Sequence, residues 1–190
     1  MKEKLTLRNI IICSCALLAV LVFCLSFAVK GYMDVEGSHI KLLNAVWNPA
    51  KVIISENGQS ETIILRKEQT SVFALPLIGF ILVLVAGIGA VIVSFLLKNE
   101  KLAKILVLVC AGLGIVGGVF MFFVSETTIR TFCMAETGSL DDLQRLKDIL
   151  KESGGKYYTG TLGIICGVLS ILGGVAIGVS QFLPDKKLAK

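Results

Sequence analysis

Four long blocks of this 190-residue sequence contain no Asp, Glu, Lys, Arg or His, and they restrict its fold more than any other feature. The blocks are residues 10–29, 70–97, 105–125 and 157–184. All 19 basic and all 14 acidic residues lie outside them. A helix needs about 20 apolar residues to cross the hydrocarbon core of a bilayer, and each block is long enough. The sequence therefore predicts four transmembrane helices.

The predicted fold is an all-α membrane protein: a four-transmembrane-helix bundle with a small extracellular β-hairpin or sheet in loop 1 and an amphipathic helix in loop 2. Residues 1–190 are expected to form a single four-span membrane domain. Its predicted segments are span 1 at 10–29, outer loop 30–69, span 2 at 72–97, inner link 98–104, span 3 at 105–125, outer loop 126–156 and span 4 at 157–184.

Lysines and arginines around the spans indicate the orientation of the chain. The amino end, the link 98–104 and the carboxyl tail each carry three basic residues and one acidic residue. The long loops are nearly balanced, with five basic and five acidic residues in 30–69 and five and six in 126–156. Because basic residues near span ends are retained in the cytoplasm, we expect a multi-pass protein of the plasma (cell) membrane with both termini cytoplasmic. The net charge of +5 then reflects topology, and nucleic-acid binding is not expected.

The first span has an alternative interpretation. Ser26 and Ala28 supply small residues of the kind that signal peptidase requires, so residues 1–28 could form a signal peptide. The apolar run is longer than the usual core of a signal peptide, which favours a retained helix. This span has no glycine, so we expect it to face lipid more than the other spans do.

Small residues form a stripe along the fourth span. The stripe consists of Gly160, Gly163, Gly167, Ser170, Gly174 and Gly178. Each glycine would cost a soluble helix about 1 kcal/mol relative to alanine, but in lipid the helix persists and small residues permit close packing. Span 3 carries Gly114 and Gly118 in a GxxxG arrangement, which predicts contact between spans 3 and 4. The sequence leaves open whether that contact forms within one chain or between the chains of a homo-oligomer.

The first outer loop changes to a β-like pattern. Residues 51–55 (KVIIS) and 61–66 (ETIILR) are β-branched runs separated by a segment that contains Asn57 and Gly58. Asn-Gly between such runs is a strong hairpin signal, since both residues accept positive φ in a type I′ turn. Residues 39–47 could add a third strand.

The second outer loop is predicted to contain an amphipathic helix, with Ser139 as its cap and Asp142 at the third helical position. Its apolar face consists of Leu140, Leu143, Leu146, Ile149 and Leu150. An isolated hairpin and a short helix are each marginal in water, so we expect them to cover each other. The expected contacts join Leu143, Leu146 and Ile149 to Val52, Ile54, Ile63 or Leu65. The alternative places this helix face on the membrane interface or on a partner.

No catalytic, cofactor-binding or metal-binding residue is predicted, because no Walker, HExxH, GxSxG or CxxC motif occurs. Cys13 and Cys15 point in different directions on a helix and are interpreted as buried apolar residues. His39 is expected at the surface, and Cys133 is the only cysteine outside the spans. Trp47 is expected to be an interfacial anchor or a sheet-core residue, with a partner-binding hot spot as the alternative. We therefore expect a protein that is not an enzyme and uses no cofactor.

The layout resembles that of claudin-type proteins, which have four spans, a β-rich first outer loop, a smaller second loop and cytosolic ends. The resemblance covers topology alone, because Trp47 is the only tryptophan and residues 30–69 contain no cysteine, so the first-loop signature of that family is missing. No functional residue carries over.

Two functions from different classes are compatible with these patterns. The first is a non-enzymatic assembly or accessory protein whose extracytoplasmic cap contacts other proteins. The alternative is an oligomeric pore or transporter component, although the spans lack the ionisable groups that transporters usually place there. The expected partners are the lipid bilayer and either another protein or a second copy that binds through the glycine-rich spans 3 and 4.

Overall fold

The computed structural model describes residues 6–183 except for 36–37, 50, 57, 71–72 and 98. The helices are α1 (Leu7–Leu25), α2 (Ala74–Leu96), α3 (Glu100–Met121), α4 (Val124–Thr137), α5 (Leu143–Glu152) and α6 (Thr161–Ser180). The strands are β1 (Gly31–Val35), β2 (Ser38–Leu43), β3 (Lys51–Glu56), β4 (Gln59–Ile64) and β5 (Lys156–Thr159).

The chain forms two compact units. The helical unit comprises the described parts of Met1–Cys24, Ile78–Phe120 and Cys166–Lys190. The sheet unit comprises the described parts of Leu25–Leu77 and Met121–Ile165.

Four helical segments in the described part of the chain are long and apolar enough to cross a membrane. They are Leu7–Ala28, Ala74–Leu96, Glu100–Thr137 and Thr161–Ser180. Each overlaps one of the uncharged blocks, which confirms the predicted four-helix architecture. In the most apolar stretch of the first segment 22% of the residues are buried inside the protein, compared with 33% in each of the other three. This is in line with the expectation that the glycine-free span faces lipid more than the others do.

All four of these helices contribute to one apolar core in the helical unit. The core consists of Ile12 from α1, Ala90 from α2, Val107 and Ala111 from α3, and Ile177 from α6.

Glycines set the closest approach between α3 and α6. A Cβ atom at Gly118 would lie 2.8 Å from the carbonyl oxygen of Gly167, and one at Gly174 would lie 2.8 Å from the carbonyl oxygen of Ala111. No side chain fits at such distances, so both positions require glycine. The glycine faces of the third and fourth spans therefore meet within one chain. Gly160 precedes α6 and does not extend the stripe on a helix.

The sheet unit is built on five antiparallel strands in the order β4-β3-β2-β1-β5. The predicted hairpin is present: Glu56 pairs with Gln59, and Gly58 has φ +81°. Asn57 lies outside the described residues. The additional strand predicted within residues 39–47 is β2, which ends at Leu43, and residues 44–47 form a turn.

Two strands of the sheet were not predicted. Residues 31–35 form β1, and residues 156–159 form β5, so the fourth membrane helix begins at Thr161 and not at residue 157. Residues 157–159 carry no charged side chain, which is also typical of a membrane helix. In the structure, however, Tyr157 pairs with Met33 and Tyr158 pairs with Tyr32 of β1. Tertiary pairing therefore overrides composition at this boundary.

The second long loop contains two helices, where the sequence predicted one. The helix α4 follows α3 after the turn at Phe122 and Phe123, and α5 begins at Leu143 with Asp142 at its N-cap position. The proposed cap Ser139 instead stabilises the preceding turn, because its hydroxyl accepts the Asp141 N–H at 3.0 Å and donates to the Asp141 carboxylate at 2.8 Å.

Candidate functional site: the groove between the sheet and α4

The sheet has an apolar face and a polar face. Successive side chains of a strand point to opposite faces, and directly paired residues of neighbouring strands share a face. The apolar face carries Ile40, Leu42, Val52, Ile54 and Ile63. The polar face carries Tyr32, Asp34, His39 and Lys41.

Helices α4 and α5 cover part of the apolar face. Met33, Ile40, Ile129 and Leu150 are buried in a common cluster. Around this cluster pack Val35, Val52, Ile54, Phe132, Leu143, Leu146 and Tyr157. Leu143 and Leu146 thus share a core with the hairpin, as expected for intramolecular cover. Ile149 does not behave as expected, since it is 51% exposed and Leu150 is buried instead.

Between α4 and the strands β2 to β4 this cover is incomplete and leaves the sheet–helix groove, which has a volume of about 180 Å³. It is lined by Ile40, Leu42, Val52, Ile54, Ile63, Leu65, Gln69, Thr128, Thr131, Phe132, Ala135 and Glu136. Apolar cavities of about 150 Å³ admit a molecule the size of benzene. The groove therefore has room for an apolar side chain of a partner.

Acidic side chains lie at the rim of the sheet–helix groove. Glu136 is exposed where it lines the groove. A second recess near the hairpin turn is lined by Glu56, Gln59 and Glu61. Ile54 lines both this recess and the sheet–helix groove. None of the described residues that line the groove or this recess is basic. The rim is therefore acidic at Glu136 and near the hairpin turn, beside an apolar floor.

Strand β4 forms one edge of the sheet, next to this groove. All six of its residues, Gln59–Ile64, are exposed. Ile63 is 36% exposed and Ile64 is 71% exposed. An edge strand presents backbone N–H and C=O groups that another strand can pair with. Among the described residues no strand pairs with the outer edge of β4, and this edge lies beside the groove.

Charged contacts fix α4, which forms one wall of the groove. Lys147 Nζ lies 2.7 Å and Arg130 Nε lies 3.4 Å from Glu126 Oε1. The Arg130 guanidinium also sits over the Phe73 ring, 4.6 Å from its centroid. The side chains of Glu126, Arg130 and Lys147 are 17%, 29% and 25% exposed, so solvent screens these pairs less than it screens pairs at an open surface.

The polar face of the sheet carries a cluster of aromatic and charged side chains. Tyr32 and Tyr158 stack with their ring centroids 5.4 Å apart. His39 Nδ1 lies 2.8 Å from Asp34 Oδ1, and the His39 side chain is 72% exposed, as expected for a surface residue. Desolvation first, and then the charge of Asp34 and a hydrogen bond to it, raise the pKa of Tyr158.

Trp47 lies in the turn that follows β2 and is not part of the sheet core. Its indole N–H donates to Ser26 Oγ at 2.6 Å, and its ring stacks on Phe27 with centroids 5.0 Å apart. This aromatic pair stands at the end of the first apolar helix. The position is typical of an interfacial anchor.

The cysteines of the described chain differ in their burial. Cys133 is fully buried on α4, and its thiol donates to the carbonyl oxygen of Ser139 at 3.3 Å. All six cysteines are free, including Cys13 and Cys15. Among the residues that the structure describes, no three His, Cys, Asp or Glu side chains are grouped so that they could hold a metal ion.

The helical unit contains a cavity of about 20 Å³. Its lining is apolar apart from Cys15 and Ser170, and the Ser170 hydroxyl donates to the carbonyl oxygen of Cys166 at 2.7 Å. A single water requires about 10–15 Å³. This cavity is therefore no larger than a water site.

These observations define the class of the protein. The apolar helices pack around a common core and expose large apolar side chains along their length, surface that lipid covers in a bilayer. The chain is an integral membrane protein with four candidate spans. Comparison of the sequence with protein families and with curated proteins finds no match in either. Neither comparison supports the likeness to claudin-type proteins.

Proposed function

We propose that this chain is a non-enzymatic accessory protein that assembles or stabilises other membrane proteins, and that the sheet–helix groove is its contact surface. The observation that carries this proposal is the apolar groove of about 180 Å³ beside the exposed edge strand β4. Anchor side chains that are fully desolvated in concave apolar sites contribute most of the affinity of protein contacts. A groove with a fixed wall suits such an anchor.

The proposed location is the plasma membrane, with both termini in the cytoplasm and the sheet unit outside. Its support is the basic character of the amino end, the link 98–104 and the carboxyl tail. The partner is then a membrane protein with an extracytoplasmic segment, or a secreted protein.

The glycine faces are a less suitable contact for a second copy. Gly118 and Gly174 already contact backbone atoms of the same chain, so a homo-oligomer built on these faces would have to separate α3 from α6. The cavity of about 20 Å³ in the helical unit likewise favours an accessory role over a pore.

Photo-crosslinking in living cells tests this proposal. A benzophenone amino acid at Ile63, at the groove, should give adducts of one or a few defined proteins. The same group at Lys41, on the polar face of the sheet, is the matched control and should give none of them. Equal adducts from both positions, or adducts of Ile63 with lipid alone, would contradict a protein contact at the groove. Solute flux through purified, reconstituted chains would favour the pore instead.

A further inference from the structure

Resting on the proposed function, we infer that the partner binds as an extended strand added to β4. In this arrangement an apolar side chain of the partner lies beside Ile63 and a basic side chain lies beside Glu61. The partner is thus a segment of another protein with the pattern apolar, any residue, basic.

The pairing of β3 with β4 provides the first step. Glu61 pairs with Ile54 and Ile63 pairs with Val52, so both side chains are on the face of the sheet that carries the groove. A strand added to the outer edge of β4 continues the same alternation. Every second residue of the added strand therefore meets Glu61, Ile63 or the groove, and its backbone pairs with the free edge.

Charge provides the second step. A carboxylate on the groove face of an edge strand is a common device against unwanted pairing, because an incoming strand must place a side chain next to it. Glu56 and Glu136 add to the negative charge around the groove. A basic side chain satisfies Glu61, whereas an acidic one is repelled.

A second copy of this chain is the competing occupant. A register that sets Glu61 opposite Glu61 of the second copy would place like charges side by side, whereas a register that sets Lys67 opposite Glu61 would not. A crosslink from Thr62 between two copies distinguishes the second copy from another protein.

The direction of the added strand follows from the strand pairing in the sheet, whereas the charges along β4 set where its basic residue lies. Acidic residues are concentrated near the hairpin turn, whereas Arg66 and Lys67 follow the strand at its other end. All strands of the sheet are antiparallel. Antiparallel addition is also slightly more stable per residue. In this direction the partner residue beside Ile63 precedes the one beside Glu61 by two positions, which gives the order apolar, any residue, basic.

A random peptide library tests this inference on the full-length protein in lipid nanodiscs. Selection should enrich the pattern apolar, any residue, basic. With Glu61→Lys the enriched pattern should change to apolar, any residue, acidic. Glu152→Lys makes the same change of charge at an exposed site on α5, outside the lining of the groove and the recess, and should leave the pattern unaltered.

Affinity measurements give a second readout. A synthetic peptide from the selection should bind about three- to tenfold more weakly when its basic residue is replaced by glutamate, the range expected for an exposed charge pair. Ile63→Asp should remove binding, and the folded state of each variant is checked by its circular dichroism spectrum.

Three results would overturn the inference: no enriched pattern, a pattern that Glu61→Lys leaves unchanged, or crosslinks between the β4 strands of two copies from a benzophenone at Thr62. The proposed function has a separate readout. Protein adducts from Ile63 in cells together with a charge-independent library result would retain the contact surface and reject strand addition.

Discussion

Gly118 faces the backbone of Gly167 so closely that a Cβ atom at Gly118 would lie 2.8 Å from the carbonyl oxygen of Gly167. The contact joins α3 to α6 inside the helical unit. In a bilayer the hydrophobic effect does not drive helices together, so close packing of small residues is the principal source of their association. Gly118 is therefore a sensitive position for stability.

We predict that Gly118→Ala destabilises the helical unit by about 1–3 kcal/mol, the usual cost of overpacking. Gly112→Ala is the matched control, since Gly112 lies on the same helix with nothing within 4 Å of an added Cβ atom. Reversible unfolding in mixed detergent micelles measures both variants. Equal stability of the two would show that the α3–α6 contact does not form.

A second prediction concerns Thr159, which joins β5 to the turn between α3 and α4. Its hydroxyl donates to the carbonyl oxygen of Phe122 at 2.8 Å and accepts the Ser125 N–H at 3.1 Å. Thr159→Val keeps the shape but leaves two backbone groups unpaired, which should cost about 1–3 kcal/mol of unfolding free energy. Thr159→Ser retains the hydroxyl and should cost less. A valine variant as stable as the parent protein would show that the two hydrogen bonds contribute nothing to stability.

The ion pair between Glu126 and Lys147 gives a third prediction, because it links α4 to α5. Glu126→Gln and Lys147→Met should each lower stability, and a double-mutant cycle should give a coupling of about 1 kcal/mol. Lys151→Met, at an exposed position of α5, is the control and should have little effect. Additive losses at Glu126 and Lys147 would mean that the pair contributes nothing to the groove wall.

The fourth prediction is a pH dependence at Tyr158. Desolvation and Asp34 raise the pKa of this phenol above its usual value of about 10. The folded chain therefore holds the proton more tightly than the unfolded chain, and this contribution to stability falls as the pH rises from about 10 through the folded-state pKa. Absorbance titration should show the late titration of Tyr158, and Asp34→Asn should lower its pKa. An unchanged titration in that variant would exclude Asp34 as a cause.

The fifth prediction concerns topology. Native Cys133 is buried and cannot report the side of the membrane without unfolding. A membrane-impermeant maleimide should label Ser60→Cys in intact cells but should label Lys187→Cys only after lysis, with the parent protein as the blank. Labelling of Lys187→Cys in intact cells would reverse the proposed orientation.

The sequence indicated the elements whose cause is local. Asn57-Gly58 between β-branched runs predicted the hairpin, because the required turn depends on those two residues. The strand β1 carried no such signal, and β5 was hidden in a charge-free segment. Both strands depend on pairing with each other, which a single-sequence pattern does not reveal.

The sheet–helix groove illustrates the same limit. Its apolar floor was visible as alternating residues, and Leu143 and Leu146 were correctly expected to share a core with Val52 and Ile54. The groove itself exists because α4, an element without a clear periodic signal, covers only part of the sheet. The extent of that cover depends on packing between elements distant in the chain.

By itself, the sequence determined four apolar helices and a short β-hairpin. Hydrocarbon excludes charge and demands internally satisfied backbone groups, and an Asn-Gly turn has few conformations. Only the tertiary structure decided that the glycines of α3 and α6 meet within one chain, that residues 156–159 form a strand, and that α4 leaves a groove beside β4. These features arise from backbone pairing and packing between residues that are far apart in the sequence. The local sequence does not decide them, because the same residues are locally compatible with several conformations.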